Sequence, residues 1–172
     1  GMGGHRAGEV AAKSAVELIS SHFLSNALEN KEDLANALHE SIDHANKKIF
    51  SLSREKKELR GMGTTFCSIF IQNDNALVSH IGDSRIYRLN NENLTKLTHD
   101  HSLIFDLLKT GHLEEDEPMP SPYKNVITKA LGPSSYLEPE VALCPIEKND
   151  LFLLCSDGLS DFVSENRIKK TL

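Results

Sequence analysis

Residues 151–163 read LFLLCSDGLSDFV, a run of large apolar side chains that stops on Asp157 and Gly158, with Asp161 four residues further on. A carboxylate at the end of a buried strand has two uses. It is a turn residue that accepts hydrogen bonds from its own backbone, or it is a ligand for a hard cation, which takes oxygen donors and keeps several waters. Residues 82–85, GDSR, repeat the theme with Asp83 after a glycine. Two glycine-rich stretches, GMGGHRAGE at 1–9 and GMGTT at 61–65, offer backbone N–H groups of the kind that attract anions at helix starts. Neither leads into Gly-Lys-Ser/Thr, so neither is a nucleotide loop. Histidines stand at His5, His80, His99 and His101; His80 sits in a strand-like run and reads as a satisfied sheet residue. Taken one at a time, each of these stretches is equally well a plain turn, terminus or sheet position.

The elements that must position these residues follow from periodicity. Ala11, Ala15, Leu18, Ile19 and Phe23 predict a helix over 7–24, and Leu34, Leu38, Ile42, Ala45 and Ile49 a second one, with Asn30 as its cap and a start near Lys31. The stretch SREKKELRG is a charged exit from that helix. From Gly63 the period changes. TTFCSIFIQ, ALVSHIGDSRIYRLN and LTKLT, separated by NDN and NNEN, predict an antiparallel meander over 64–98. A short helix is expected around Ser102–Thr110, inside an irregular, acidic and proline-containing excursion at about 99–125 that reads as a flap. NVITKALG, PEVALCPI and DLFLLCSDG return to strand patterning, and SENRIKKTL begins a helix. Helices first and strands after, without strict alternation, point to α+β.

Composition bounds the function classes. A chain of 172 residues with 39% hydrophobic and 26% charged residues is one globular domain, here residues 1–172. A net charge of −6 argues against nucleic acid and anionic membranes as partners. The three cysteines are scattered without metal-type spacing, which suits reduced thiols in the cytoplasm better than a disulfide framework. No apolar run reaches the roughly 18 residues of a membrane span. His5, Arg6 and Glu9 stand where a signal peptide needs an apolar core.

The order of the motifs carries more than any one of them. GMGGHRAGE entering a helix, GTT entering a strand, GDSR, LTHDHS, VITKALG and LLCSDGLSDFV, in that sequence from residue 1 to about Val163, resemble the metal-dependent protein phosphatases, the PPM or protein phosphatase 2C family in its bacterial form. The resemblance implies an antiparallel β-sandwich flanked by helices, incomplete in this chain. It implies two Mn²⁺ or Mg²⁺ ions, with a third in bacterial members, and a metal-activated water that hydrolyses phosphoserine or phosphothreonine. It implies a phosphorylated protein as substrate and a serine/threonine kinase as a possible partner. Asp157 matches the metal-ligating aspartate after the strand. Gly1 matches the glycine whose backbone carbonyl contacts a metal, and Asp83 the aspartate that shares the third metal with Asp157. His5 stands near the position of the family's general acid, with a structural or exposed histidine as the other reading. Asp161 reads as a signature residue or as the cap of a helix that starts there. Arg85 reads as packing or pairing with a carboxylate. His99, Asp100, His101 and Ser102 match the opening of the flap that governs substrate access.

The pattern departs from the family at both ends. No aspartate precedes Gly1 to bridge two metals, the upstream arginine and Asn-Glu-Asp stretch are missing, and so is the final Asp-Asn signature. The expectation is a chain truncated at both ends, a fragment or a shortened homologue. It should be inactive or weakly active by itself, with open sheet edges that favour self-association. The alternative is a phosphatase-like binding or regulatory module without full catalytic machinery.

Overall fold

The computed structural model describes residues 5–29, 33–113 and 126–172, with the side chains of residues 5, 6 and 27–29 excepted. The chain forms two compact units, Gly1–Ile81 with Ala130–Ile146, and Gly82–Lys129 with Glu147–Leu172.

The first unit is built on two long helices. In α1, His5–Glu29, the buried residues Ala7, Ala11, Ala15, Ile19 and Phe23 recur every four positions. That stripe of mostly small side chains lets α2, Leu34–Glu55, approach with Leu38, Ile42, Ala45 and Ile49. Asp33 caps α2, its Oδ1 accepting the Asn36 N–H at 3.1 Å, so the helix begins at Leu34. The expected start near Lys31 is thus set too early, and Asn30 and Lys31 lie outside the described residues. Both Asp and Asn serve as caps, and the closer one makes the bond. A sheet of order β1-β2-β5 completes this unit, with β1 at Phe66–Gln72, β2 at Asn75–Ile81 and β5 at Glu140–Pro145, all antiparallel. A two-residue turn through Asn73 (φ 51°) joins β1 to β2, a positive φ that asparagine tolerates. Phe70 of β1 meets Phe23 edge-to-face at 5.0 Å. Asn46 is fully buried and satisfied: it accepts from the Gly132 N–H at 2.8 Å and donates to the Ser134 carbonyl at 3.0 Å.

The second unit holds a sheet of order β4-β3-β6, with β3 at Arg85–Asn90, β4 at Asn93–Lys96 and β6 at Leu151–Cys155, again antiparallel. Three short helices belong to it: α3 at Leu103–Lys109, capped by Ser102, α4 at Asp157–Ser160 and α5 at Glu165–Thr171. Ile86, Tyr87 and Ile168 are buried here. Arg88 pairs with Asp150 at 2.7 Å, and Asn90 bonds the same carboxylate.

Three expectations are corrected. Residues 64–98 are two hairpins in two sheets, not one meander, because the chain leaves β2 through Gly82 at φ 97° and β3 finds β6 instead of β2. Of NVITKALG, the described residues 126–132 form no strand; the isolated bridges Ser102↔Ile127 and Thr64↔Leu131 satisfy their backbone at single points. Asp161 caps no helix start, since it closes α4 and Ser164 precedes α5.

Candidate active site

Strand register alone brings two of the aspartates together. In the β3/β6 ladder Arg85 faces Cys155. Asp83 lies two residues before Arg85 and Asp157 two residues after Cys155. In an antiparallel pair both therefore emerge at the same end of the sheet. Asp161 follows Asp157 by four residues across α4, a spacing that keeps both on one side of a helical turn. The result is a pocket of about 200 Å³ lined by Asp83, Arg85, Asp100, Asp157, Ser160 and Asp161, with Ser102 and Ile104 beside them. Two grooves of the first unit, about 250 Å³ between Asp33, Leu34, Phe70 and Leu143 and about 340 Å³ beside Ser53, Glu55 and Arg60, each hold a single carboxylate and no such cluster.

The charges are unevenly committed. Arg85 grips Asp100 with Nε at 3.0 and 3.1 Å and Nη2 at 2.6 Å, and its Nη1 reaches the Tyr87 hydroxyl at 3.4 Å. These hydrogen bonds to Asp100 drive the guanidinium pKa upward, so Arg85 is a fixed cation spent on a carboxylate, as its sequence reading holds. Lys96 adds a contact to Asp100 at 3.6 Å. Asp157 is exposed and accepts the Gly158 N–H at 2.9 Å. Asp83 is the strained member. Burial pushes its carboxyl up, a backbone hydrogen bond works against that, and the charges of Asp157, Asp100 and Asp161 add to the rise. Ser160 Oγ is buried in the same lining with no hydrogen-bond partner among the described residues. An all-oxygen set of crowded carboxylates beside an unsatisfied hydroxyl fits a hard divalent cation, which would offset the repulsion that raises Asp83. A thiol mechanism does not fit: burial pushes the Cys155 pKa up, away from a reactive thiolate.

The flap residues divide. Asp100 and Ser102 line the pocket. The His99 ring lies against Phe105, centroids 5.8 Å apart, and is not in the lining. His101 is buried, accepts the Gly82 N–H on Nδ1 at 3.0 Å and returns its own N–H to the Gly82 carbonyl at 3.0 Å. Gly1 and the His5 side chain lie outside the described residues, as does most of the flap beyond residue 113. Sequence reasoning gave Arg85 a carboxylate partner without naming Asp100, and missed the His101–Gly82 clasp and the place of Asp161 in the pocket. Only the last had a signal, its i+4 spacing from Asp157.

The family model described as protein phosphatase 2C matches residues 1–172. The serine/threonine phosphatase stp of Listeria monocytogenes serotype 4b is 39% identical over 173 residues, covering all of this chain and 69% of that protein. The structure of the Mycobacterium tuberculosis serine/threonine phosphatase PstP/Ppp superposes with a TM-score of 0.86 at 34% identity, covering 98% of this chain and 70% of that one. A structure of the PstP catalytic domain in complex with two manganese ions gives a TM-score of 0.81 at 32% identity, covering 98% and 69%.

Proposed function

The chain belongs to the protein phosphatase 2C family, a family of metal-dependent serine/threonine phosphatases with this α+β fold of antiparallel sheets and helices, and from that premise we propose how its own pocket serves the reaction. The reading is hydrolysis of phosphoserine and phosphothreonine in proteins at the pocket framed by Asp83, Asp157 and Asp161. The observation that carries it is the convergence of these carboxylates at one sheet end, where burial first and the neighbouring charges after it raise Asp83.

Asp157 and Asp83 are the residues proposed to hold Mn²⁺ or Mg²⁺, with Asp161 close enough to add an oxygen or orient a water; the backbone carbonyl of Gly1 is the further ligand the family resemblance assigns. Bound there, divalent cations supply positive charge for an anionic phosphoryl group and a water acidified toward neutral pKa. The protein's part is orientation. The β3/β6 register fixes the two aspartates against each other, and the Arg85–Asp100 pair keeps a cation from collapsing onto them. His5, at the start of α1, is the proposed proton donor to the leaving alkoxide. Residues 99–125 are proposed as the flap over the pocket, with His99, Asp100, His101 and Ser102 at its root. A protein serine/threonine kinase must supply the phosphorylated substrate. The three free thiols support a reducing, cytoplasmic setting. Self-association is proposed through the outer strands of the two sheets, β1 and β5 in one and β4 and β6 in the other.

Among the described residues, the carboxylates of this pocket not bound to Arg85 are Asp83, Asp157 and Asp161, fewer oxygens than two hard cations take. The 172-residue chain by itself is accordingly proposed to be weakly active. The test is hydrolysis of p-nitrophenyl phosphate and of a phosphothreonine peptide, with and without millimolar Mn²⁺, for this chain and for Asp157→Ala. Mn²⁺-dependent turnover abolished by the substitution supports the site. Turnover indifferent to Asp157 refutes it, and absence of turnover with specific phosphoprotein binding favours the regulatory reading.

A further inference from the structure

GDSR and LTHDHS are separated by 11 residues in sequence, yet within the second unit they form one device. The Gly82–Arg85 turn is held at both flanks by two consecutive residues. On the N-terminal flank, both backbone polar groups of Gly82 go to His101: its N–H to Nδ1 and its carbonyl to the His101 N–H, each at 3.0 Å. On the C-terminal flank, Asp100 Oδ1 accepts from Arg85 Nε and its Oδ2 from Nε and Nη2. Asp83 lies between the two grips. We propose that Asp100 and His101 are positioning residues that clamp the Gly82–Arg85 turn and so fix the Asp83 carboxylate at the metal pocket.

The clamp is itself anchored. His101 is 6% exposed, and its carbonyl accepts the Thr128 N–H at 2.9 Å. Lys96 steadies Asp100 from β4, and Ser102 goes on to cap α3. A need for such a clamp follows from electrostatics. Asp83 faces the charges of Asp157, Asp100 and Asp161, and a loose turn at a glycine with φ 97° would relieve that repulsion by swinging outward. Holding the backbone removes that escape and keeps the carboxylate in place for a cation. The chemistry of the clasp is specific. Nδ1 accepts a backbone N–H, so the neutral ring carries its proton on Nε2. A residue without an acceptor at that position leaves the buried Gly82 N–H unsatisfied.

This inference rests on Asp83 being a metal ligand, and the experiment separates the two. Nitrogen-15 NMR of the metal-free protein at neutral pH should show His101 as the Nε2–H tautomer, with scalar coupling across the Gly82 N–H···Nδ1 bond; a proton on Nδ1 overturns the clamp. Calorimetric titration with Mn²⁺ then compares the protein with Asp83→Asn, His101→Leu and His101→Asn, the last placing Oδ1 where Nδ1 sits. Asp83→Asn and His101→Leu should each weaken the Asp83-dependent site roughly 10–100-fold, the range for partners that orient a ligand, while His101→Asn retains most of the affinity. Should Asp83→Asn weaken binding and His101→Leu leave it unchanged, the clamp is wrong and the metal reading survives. Should Asp83→Asn bind as the parent does, the metal reading of Asp83 fails and takes the clamp's purpose with it. If His101→Leu does not fold, as judged by circular dichroism, the NMR result decides.

Discussion

Asp150 shows at the scale of one residue what the carboxylates of this protein do when no metal is involved. Its side chain is 3% exposed. Burial alone pulls its pKa up, but hydrogen bonds from the Glu147 N–H, Asn90 and Arg88 outweigh that and leave it below the ordinary aspartate value. A depressed folded-state pKa means stability that is present above the unfolded value and lost as pH falls through the folded one. Replacing Asp150 with Asn should therefore destabilise the protein at neutral pH, and the difference from the parent should shrink once the pH drops below about 4. Urea denaturation of both proteins from pH 7 to pH 3 checks this; a difference that grows on acidification contradicts it. Arg85 offers a second case. Its grip on Asp100 uses Nε and Nη2 together, a fork that lysine lacks, so Arg85→Lys should cost about 1–3 kcal/mol by urea titration although the charge is kept.

At the scale of elements, the helices were legible and the sheet partners were not. The four-residue stripe Ala7, Ala11, Ala15, Ile19, Phe23 is local, and so are the aromatic and β-branched residues Phe66, Ile69, Phe70 and Ile71 of β1; a reader of the sequence sees both. Strand pairing is not local. The turn at Gly82 that parts β2 from β3, and the ladder that sets Arg85 against Cys155, depend on residues some seventy positions apart. Asp83 and Asp157 could be picked out because each follows an apolar run, but that they share a sheet end, and that His101 and Asp100 clamp one of them, required the pairing. The polar crossing at Asn46 was invisible for the same reason, since its partners at Gly132 and Ser134 lie far along the chain. It yields a sharp prediction. Gly132 has φ 101°, and an added Cβ would meet Ile49 Cγ2 at 2.6 Å and the Met62 carbonyl at 2.8 Å. Gly132→Ala combines overpacking with a conformation that L-residues resist and should destabilise by about 2–4 kcal/mol in urea titration. An unchanged midpoint would contradict a tight approach of this backbone to α2.

For the whole molecule, the decisive quantity is the coupling between metal and fold. The net charge of −6 includes a pocket where Asp83, Asp157 and Asp161 are gathered, an arrangement that opposes folding unless a cation relieves it. A ligand that binds the folded state alone stabilises it by about 2.7 kcal/mol at a hundred times its Kd. For a chain of this size each kcal/mol moves Tm by about 2–4 °C, so saturating Mn²⁺ should raise Tm by about 5–10 °C. Chelation should reverse the shift, and sodium chloride at matched ionic strength should not reproduce it, because screening acts on all surface charges and not on this cluster. Asp157→Ala should abolish most of the shift while raising Tm slightly in the absence of metal, since one of the mutually repelling carboxylates is gone. That opposite response is what distinguishes a metal site from a structural turn. If Asp157 served only to accept the Gly158 N–H, its removal would lower Tm without metal and leave any Mn²⁺ response intact.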